Sequence, residues 1–187
     1  MMKIKIMAYA LAILLGFFSG SLLAEEGAYQ VELIVFSQTM PNTEVFEQTA
    51  SQIKWPPDLV LLSAYRKPDN TTLADSYAAL SKDSTYQSIT NVAWVQSVGE
   101  GGLSAPVHIQ SADGKLNGYF QMQWGQGLQM MVDLEFTPNS GDGPIVYRLN
   151  EKRAIKLNEV YYLDHPKFGV IAKISPYIQP GAAPILN

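Results

Sequence analysis

Residues 116–136 restrict the fold of this chain more than any other stretch. Leu116, Gly118, Phe120, Met122 and Trp124 alternate with Asn117, Tyr119, Gln121 and Gln123. After Gly125-Gln126-Gly127 the period resumes, with Leu128, Met130, Val132, Leu134 and Phe136 alternating with Gln129, Met131, Asp133 and Glu135. A period of two puts alternate side chains on opposite faces of a strand, and a short glycine-containing turn folds the second strand back on the first. The pair is predicted as an antiparallel hairpin. One face is apolar and belongs to a core; the other is rich in amides and faces water.

Further strands are expected on either side. Tyr29–Phe36 is apolar except for Gln30 and Glu32, so both of its faces should be covered, as in a central strand. Val92–Val98, Ile145–Leu157, Val160–Leu163 and Gly169–Ile174 read as strands, and Leu59–Leu62 as a short one. Thr72–Ser81 is predicted helical, with Thr72 as cap, Asp75 completing a capping box, and Leu73, Tyr77 and Leu80 on one face. A second helix is expected over Asn42–Gln52. Strand, long connection, helix and strand in that order allow a βαβ crossover, with Tyr29–Phe36 parallel to Val92–Val98. Proline and asparagine clusters at Pro41-Asn42, Trp55-Pro56-Pro57-Asp58, Lys67-Pro68-Asp69-Asn70 and Asn139–Pro144 mark loops. The class is α+β, a mostly antiparallel sheet with one or two helices packed on a face.

The first 24 residues read as a secretory signal peptide. Lys3 and Lys5 form a positive flank, Ala8–Leu23 is uncharged and apolar, and Ala24 precedes Glu25-Glu26. The apolar run is shorter than the roughly 20 residues of a membrane-spanning helix. The expected organisation is a signal over 1–24, a single domain over 25–175 and a flexible tail over 176–187. Two lysines and no acids leave with the signal, so 13 basic and 17 acidic residues become 11 and 17, a net charge of −6. That balance argues against nucleic acid and anionic lipid as partners. The chain has no cysteine, which excludes disulfides, thiolate metal sites, a cysteine nucleophile and a lipid-bearing cysteine. A soluble protein of a bacterial periplasm fits these features.

Catalytic signatures are scarce: neither a G-x-S-x-G elbow nor an H-E-x-x-H helix occurs, and the only histidines are His108 and His165. Asp164-His165-Pro166 reads as turn chemistry, with the aspartate bonding the following backbone, and His108 as a packing or surface residue. Asp133 and Glu135 are the two acids a glycosidase would need, but solvated positions on a polar strand face are the simpler reading. No cofactor or metal is expected. What remains is a binding surface. Tyr119, Gln121 and Gln123 share the outward face of one strand, with Gln129 and Asp133 beside them, a set suited to stacking on and hydrogen-bonding a glycan. Trp94 and Trp124 are expected in the core. Trp55, ahead of two prolines, is the tryptophan most free to make a contact.

Several blocks resemble the CsiV family of periplasmic peptidoglycan-binding proteins of Gram-negative bacteria. They are Tyr29–Phe36 with Pro41-Asn42 and Glu44, Val92-Ala93-Trp94-Val95-Gln96, the Gly118 strand, and Arg148-Leu149 with Lys152-Arg153. The most specific is Tyr162-Leu163-Asp164-His165-Pro166 with Phe168-Gly169-Val170-Ile171. Ser97 stands where the family pattern favours proline, and the segment from Ser37 to Asn70 is shorter than in many members. The resemblance implies a non-enzymatic protein that binds the cell wall and assists its synthesis. Its implied route is an outer-membrane lipoprotein that activates a bifunctional, class A penicillin-binding protein. The family pattern carries no glycan-contacting residues to this chain. The alternative is an envelope protein–protein interaction module, without glycan binding, that pairs through a sheet edge.

Overall fold

The computed structural model describes residues 27–38, 50–99, 102–138 and 145–178. Among these are nine strands: β1 (Ala28–Gln38), β2 (Val60–Leu61), β3 (Tyr86–Ser97), β4 (Val107–Gln110), β5 (Leu116–Trp124), β6 (Leu128–Phe136), β7 (Tyr147–Ala154), β8 (Val160–His165) and β9 (Phe168–Pro176). One α-helix, α1 (Ala74–Lys82), lies between β2 and β3, after a single 3-10 turn over Leu62–Ala64. The strands form a four-stranded sheet of order β3-β1-β9-β8 and a five-stranded sheet of order β2-β4-β5-β6-β7. All pairings are antiparallel except β2 with β4. The α+β class with a mostly antiparallel arrangement holds.

The hairpin of residues 116–136 forms in the expected register, from Leu116 opposite Phe136 to Trp124 opposite Leu128. Its apolar residues Phe120, Met122, Met130 and Leu134 meet Val31, Leu33, Trp94, Phe168 and Val170 from the other sheet in one core. Each such side chain contributes about 1.5–3 kcal/mol on burial. Gly118 is required where β5 meets β6, because a Cβ there would overlap the carbonyl oxygen of Asp133.

The βαβ crossover does not form. β1 and β3 are antiparallel, with Gln38 opposite Tyr86. The chain thus leaves β1 and enters β3 at the same end of the sheet, so the intervening connection returns instead of crossing. β1 is nonetheless central, between β3 and β9, as its apolar run requires. Its second face is covered by α1: Ile34 and Phe36 pack with Leu73, Tyr77 and Leu80.

The start of α1 differs from expectation. Its cap position is Leu73, with no side-chain cap bond, and the Thr72–Asp75 box does not form. Glu32 of β1 takes over that role. Its carboxylate, buried at 3 % exposure, accepts the N–H groups of Thr72 (2.8 Å) and Leu73 (3.0 Å) and the Thr72 hydroxyl (2.8 Å). A helix start leaves N–H groups without helical acceptors and carries partial positive charge, which a carboxylate satisfies on both counts.

Pro176 closes β9, and the Tyr177 N–H donates to the Ala28 carbonyl at 2.8 Å. Residues 179–187 of the expected tail lie outside the described residues, as do the predicted signal, the Asn139–Pro144 turn and most of the predicted helix Asn42–Gln52. Ala50–Gln52, the described part of that helix, is not helical.

Candidate functional site

The outer face of the five-stranded sheet gathers most of the residues that the sequence marks for binding. Antiparallel register sets them in rows. His108, Tyr119, Asp133 and Asn150 stand opposite one another across β4 to β7, and Gln121, Met131 and Lys152 form the next row. Gln123 and Gln129 begin a third. Tyr119, Gln121 and Gln123 are all half-buried on this face.

Trp55 arrives from a segment that sequence periodicity left unassigned. The Gln52 N–H donates to the Glu135 carboxylate at 2.7 Å and ties that segment to β6. Trp55 then stands edge-on to His108 (5.7 Å between ring centres) and tilted against Tyr119 (6.4 Å). It keeps 42 % of its surface exposed. Pro56 restricts the backbone of Trp55, and the contacts with His108 and Tyr119 position its ring. Two features that lie 64 residues apart in the chain, the tryptophan before the prolines and the tyrosine of the hairpin, are one place in space.

The polar atoms of the face are largely arranged by the protein itself. Gln121 donates its amide N–H to the Ser104 carbonyl (2.8 Å), while Gln123 accepts from the Lys152 ammonium through its amide oxygen (2.8 Å). His108 Nε2 lies 2.6 Å from the Asn117 side-chain oxygen. Burial, followed by the charge of Asp133, pushes the Tyr119 hydroxyl above its ordinary pKa.

Asp133 and Glu135 are not solvated, contrary to expectation: their exposures are 4 % and 6 %. Asp133 takes a bidentate pair of bonds from Arg148, Nε to Oδ1 at 2.8 Å and Nη2 to Oδ2 at 2.7 Å. That hydrogen-bonded pairing raises the pKa of the guanidinium further. The face is wet but partly strapped over, and strand alternation cannot register a cover that arrives from a distant loop. Both acids hold structure: Asp133 neutralises Arg148, and Glu135 anchors the Trp55 segment.

Trp124 also departs from expectation. It sits at the end of β5 with 41 % exposure and stacks on Tyr29 at 6.3 Å, whereas Trp94 is fully buried as predicted. Alternation puts Trp124 on the inward side, but the strand ends there and the sandwich no longer covers it. Asp164 and His165 share no site. Asp164 accepts from the Tyr162 hydroxyl (2.6 Å) and the Gln38 amide (3.1 Å). The turn backbone is held by His165 instead, whose Nδ1 accepts the Lys167 N–H at 3.2 Å. The ring of His165 also packs near Tyr147 and Phe168, and burial lowers its pKa. Gly169 in the same block leaves room for Phe36 and Tyr162, whose rings stack at 6.1 Å; a Cβ would come within 2.7 Å of both.

Among the described residues no group of three or more potential metal-ligating side chains occurs, and no helix is long and apolar enough to cross a membrane. A family model described as "Peptidoglycan-binding protein, CsiV" matches residues 62–177, well over half of the chain. Tyr119, Gln121, Gln123 and the Tyr162–Ile171 block fall inside the match; β1 and Trp55 precede it. No curated protein and no solved structure matches the chain. The chain belongs to the CsiV family.

Proposed function

We propose that this CsiV-family protein binds peptidoglycan without cleaving it, through the outer face of its five-stranded sheet. The observation that carries the reading is the convergence of the exposed Trp55 ring, Tyr119, Gln121 and Gln123 on one face, in a member of a family described as peptidoglycan-binding. Aromatic rings stack on the apolar faces of sugars, and side-chain amides offer both donor and acceptor. The engagement of Asp133 by Arg148 and of Glu135 by Gln52 favours a binding role over a hydrolytic one.

The setting proposed with it is the periplasm, reached by cleavage after Ala24, which N-terminal sequencing of the mature form tests. There the protein would assist cell-wall synthesis together with an outer-membrane lipoprotein that activates a class A penicillin-binding protein. The direct test is co-sedimentation of purified mature protein with isolated sacculi. Retention above a control protein is expected; absence from the pellet overturns the reading.

A second reading has its own observation. β8 is the edge of the four-stranded sheet and exposes Val160 (55 %) and Tyr162 (44 %). Such an edge suits strand addition by an envelope protein. Capture of a partner with no retention on sacculi favours this alternative.

A further inference from the structure

We infer that the part of peptidoglycan recognised by this face is the glycan strand, a chain of N-acetylated amino sugars, and not the stem peptide. The inference rests on the peptidoglycan reading above and narrows it. Its first support is charge. A stem peptide carries ionised carboxylates and an amine, so a site built for it needs charged side chains free to pair. Here Arg148 spends its guanidinium on both oxygens of Asp133, and the Glu135 carboxylate takes the Gln52 N–H. Within the strand rows of this face Lys152 is the exposed cation, and its ammonium donates to Gln123; the exposed Lys54 and Asp58 flank Trp55 outside those rows.

The second support is the pairing of ring and amides. Gln121 commits one N–H to Ser104 and keeps its carbonyl oxygen as an acceptor. Gln123 commits its oxygen to Lys152 and so presents N–H donors. The two lie two residues apart on one face of β5, about 7 Å along the strand. An acetamido group carries one N–H and one C=O, and needs one acceptor and one donor in return. Trp55, positioned by His108 and Tyr119, supplies the ring on which the adjoining pyranose stacks.

The experiment uses mature protein with three materials: intact sacculi, sacculi stripped of stem peptides by an amidase, and a soluble N-acetylglucosamine oligomer followed by tryptophan fluorescence in a Trp124→Phe background. Binding to intact and stripped sacculi is expected to agree within about twofold, free stem peptide should not compete, and raising salt should change affinity by less than about twofold. Trp55→Ala should weaken glycan binding about tenfold and Trp55→Phe about threefold, with thermal melts showing both variants folded. Binding to intact but not stripped sacculi, or competition by free stem peptide, overturns the glycan assignment and leaves peptidoglycan binding standing. Full-strength glycan binding by folded Trp55→Ala overturns the site. Failure to pellet with intact sacculi overturns the peptidoglycan reading itself, and this inference with it.

Discussion

The two sheets bury their inner faces against each other and treat their outer faces in opposite ways. Outside the four-stranded sheet, Ile34 and Phe36 are sealed by α1, and a buried carboxylate on Glu32 fastens the start of that helix. Outside the five-stranded sheet, the cover among the described residues is the strap at Trp55, and amides and aromatic rings stay within reach of solvent. The first arrangement converts an outer face into a second small core. The second leaves a face whose polar groups are already oriented but not sealed. A ligand surface needs the latter: groups held in position before binding cost less to order when a ligand arrives.

Substitutions that separate the two faces test this contrast. Phe36→Ala should cost about 3–5 kcal/mol in chemical denaturation, because it empties a packed position between α1 and Tyr162. A loss below about 1 kcal/mol would mean that α1 does not seal that face. Asp133→Ala should cost about 2–4 kcal/mol, since it strands a partly buried guanidinium. Neither the wild type nor Asp133→Asn should release muropeptides from sacculi, and release by wild type alone would revive a hydrolase. Glu32→Gln keeps the shape but halves the acceptors and removes the charge at the helix start. It should cost about 1–2 kcal/mol and increase hydrogen exchange in α1 before it affects β5 or β6.

On the open face the expected balance reverses. Tyr119→Ala combined with Gln121→Ala should weaken sacculus binding while leaving the melting temperature nearly unchanged, and unaltered pelleting would move the site elsewhere. The smallest effect concerns pH. Burial lowers the folded-state pKa of His165 below its unfolded value near 6.5. Its contribution to stability is therefore complete above the unfolded pKa and is lost as pH falls through the folded one. The melting temperature should decline slightly more between pH 7.5 and 5.5 in wild type than in His165→Asn. Equal slopes would show that the ring titrates as if exposed.

The contrast also explains which parts of the molecule were legible beforehand. Clean alternation over Leu116–Phe136 reported a strand pair with one covered face, and the structure has that register. The continuous apolar run of β1 reports cover on both faces, and Leu73, Tyr77 and Leu80 read as one helix face; that this face is what covers β1 is seen only in the structure. The direction of β3 was not readable, because a long connection fits either a crossover or a return. The capping of α1 falls to Glu32 and not to Thr72, and local sequence cannot show this because Glu32 lies 40 residues earlier in the chain. Alternation also misplaced Trp124, since a period describes a strand's faces but not where the opposing sheet ends.

The candidate site divides along the same line. Tyr119, Gln121 and Gln123 share a face by the two-residue period of a strand, and local sequence determines that much. Local sequence also marks Trp55, ahead of two prolines, as the tryptophan most free to make a contact. Only the tertiary structure brings Trp55 onto Tyr119, places Arg148 on Asp133, and turns Glu135 from a presumed surface acid into an anchor. The physical reason is one of range. Backbone periodicity is set by neighbours within a few residues, whereas hydrogen bonds and ring contacts between distant segments depend on how the whole chain closes its two sheets.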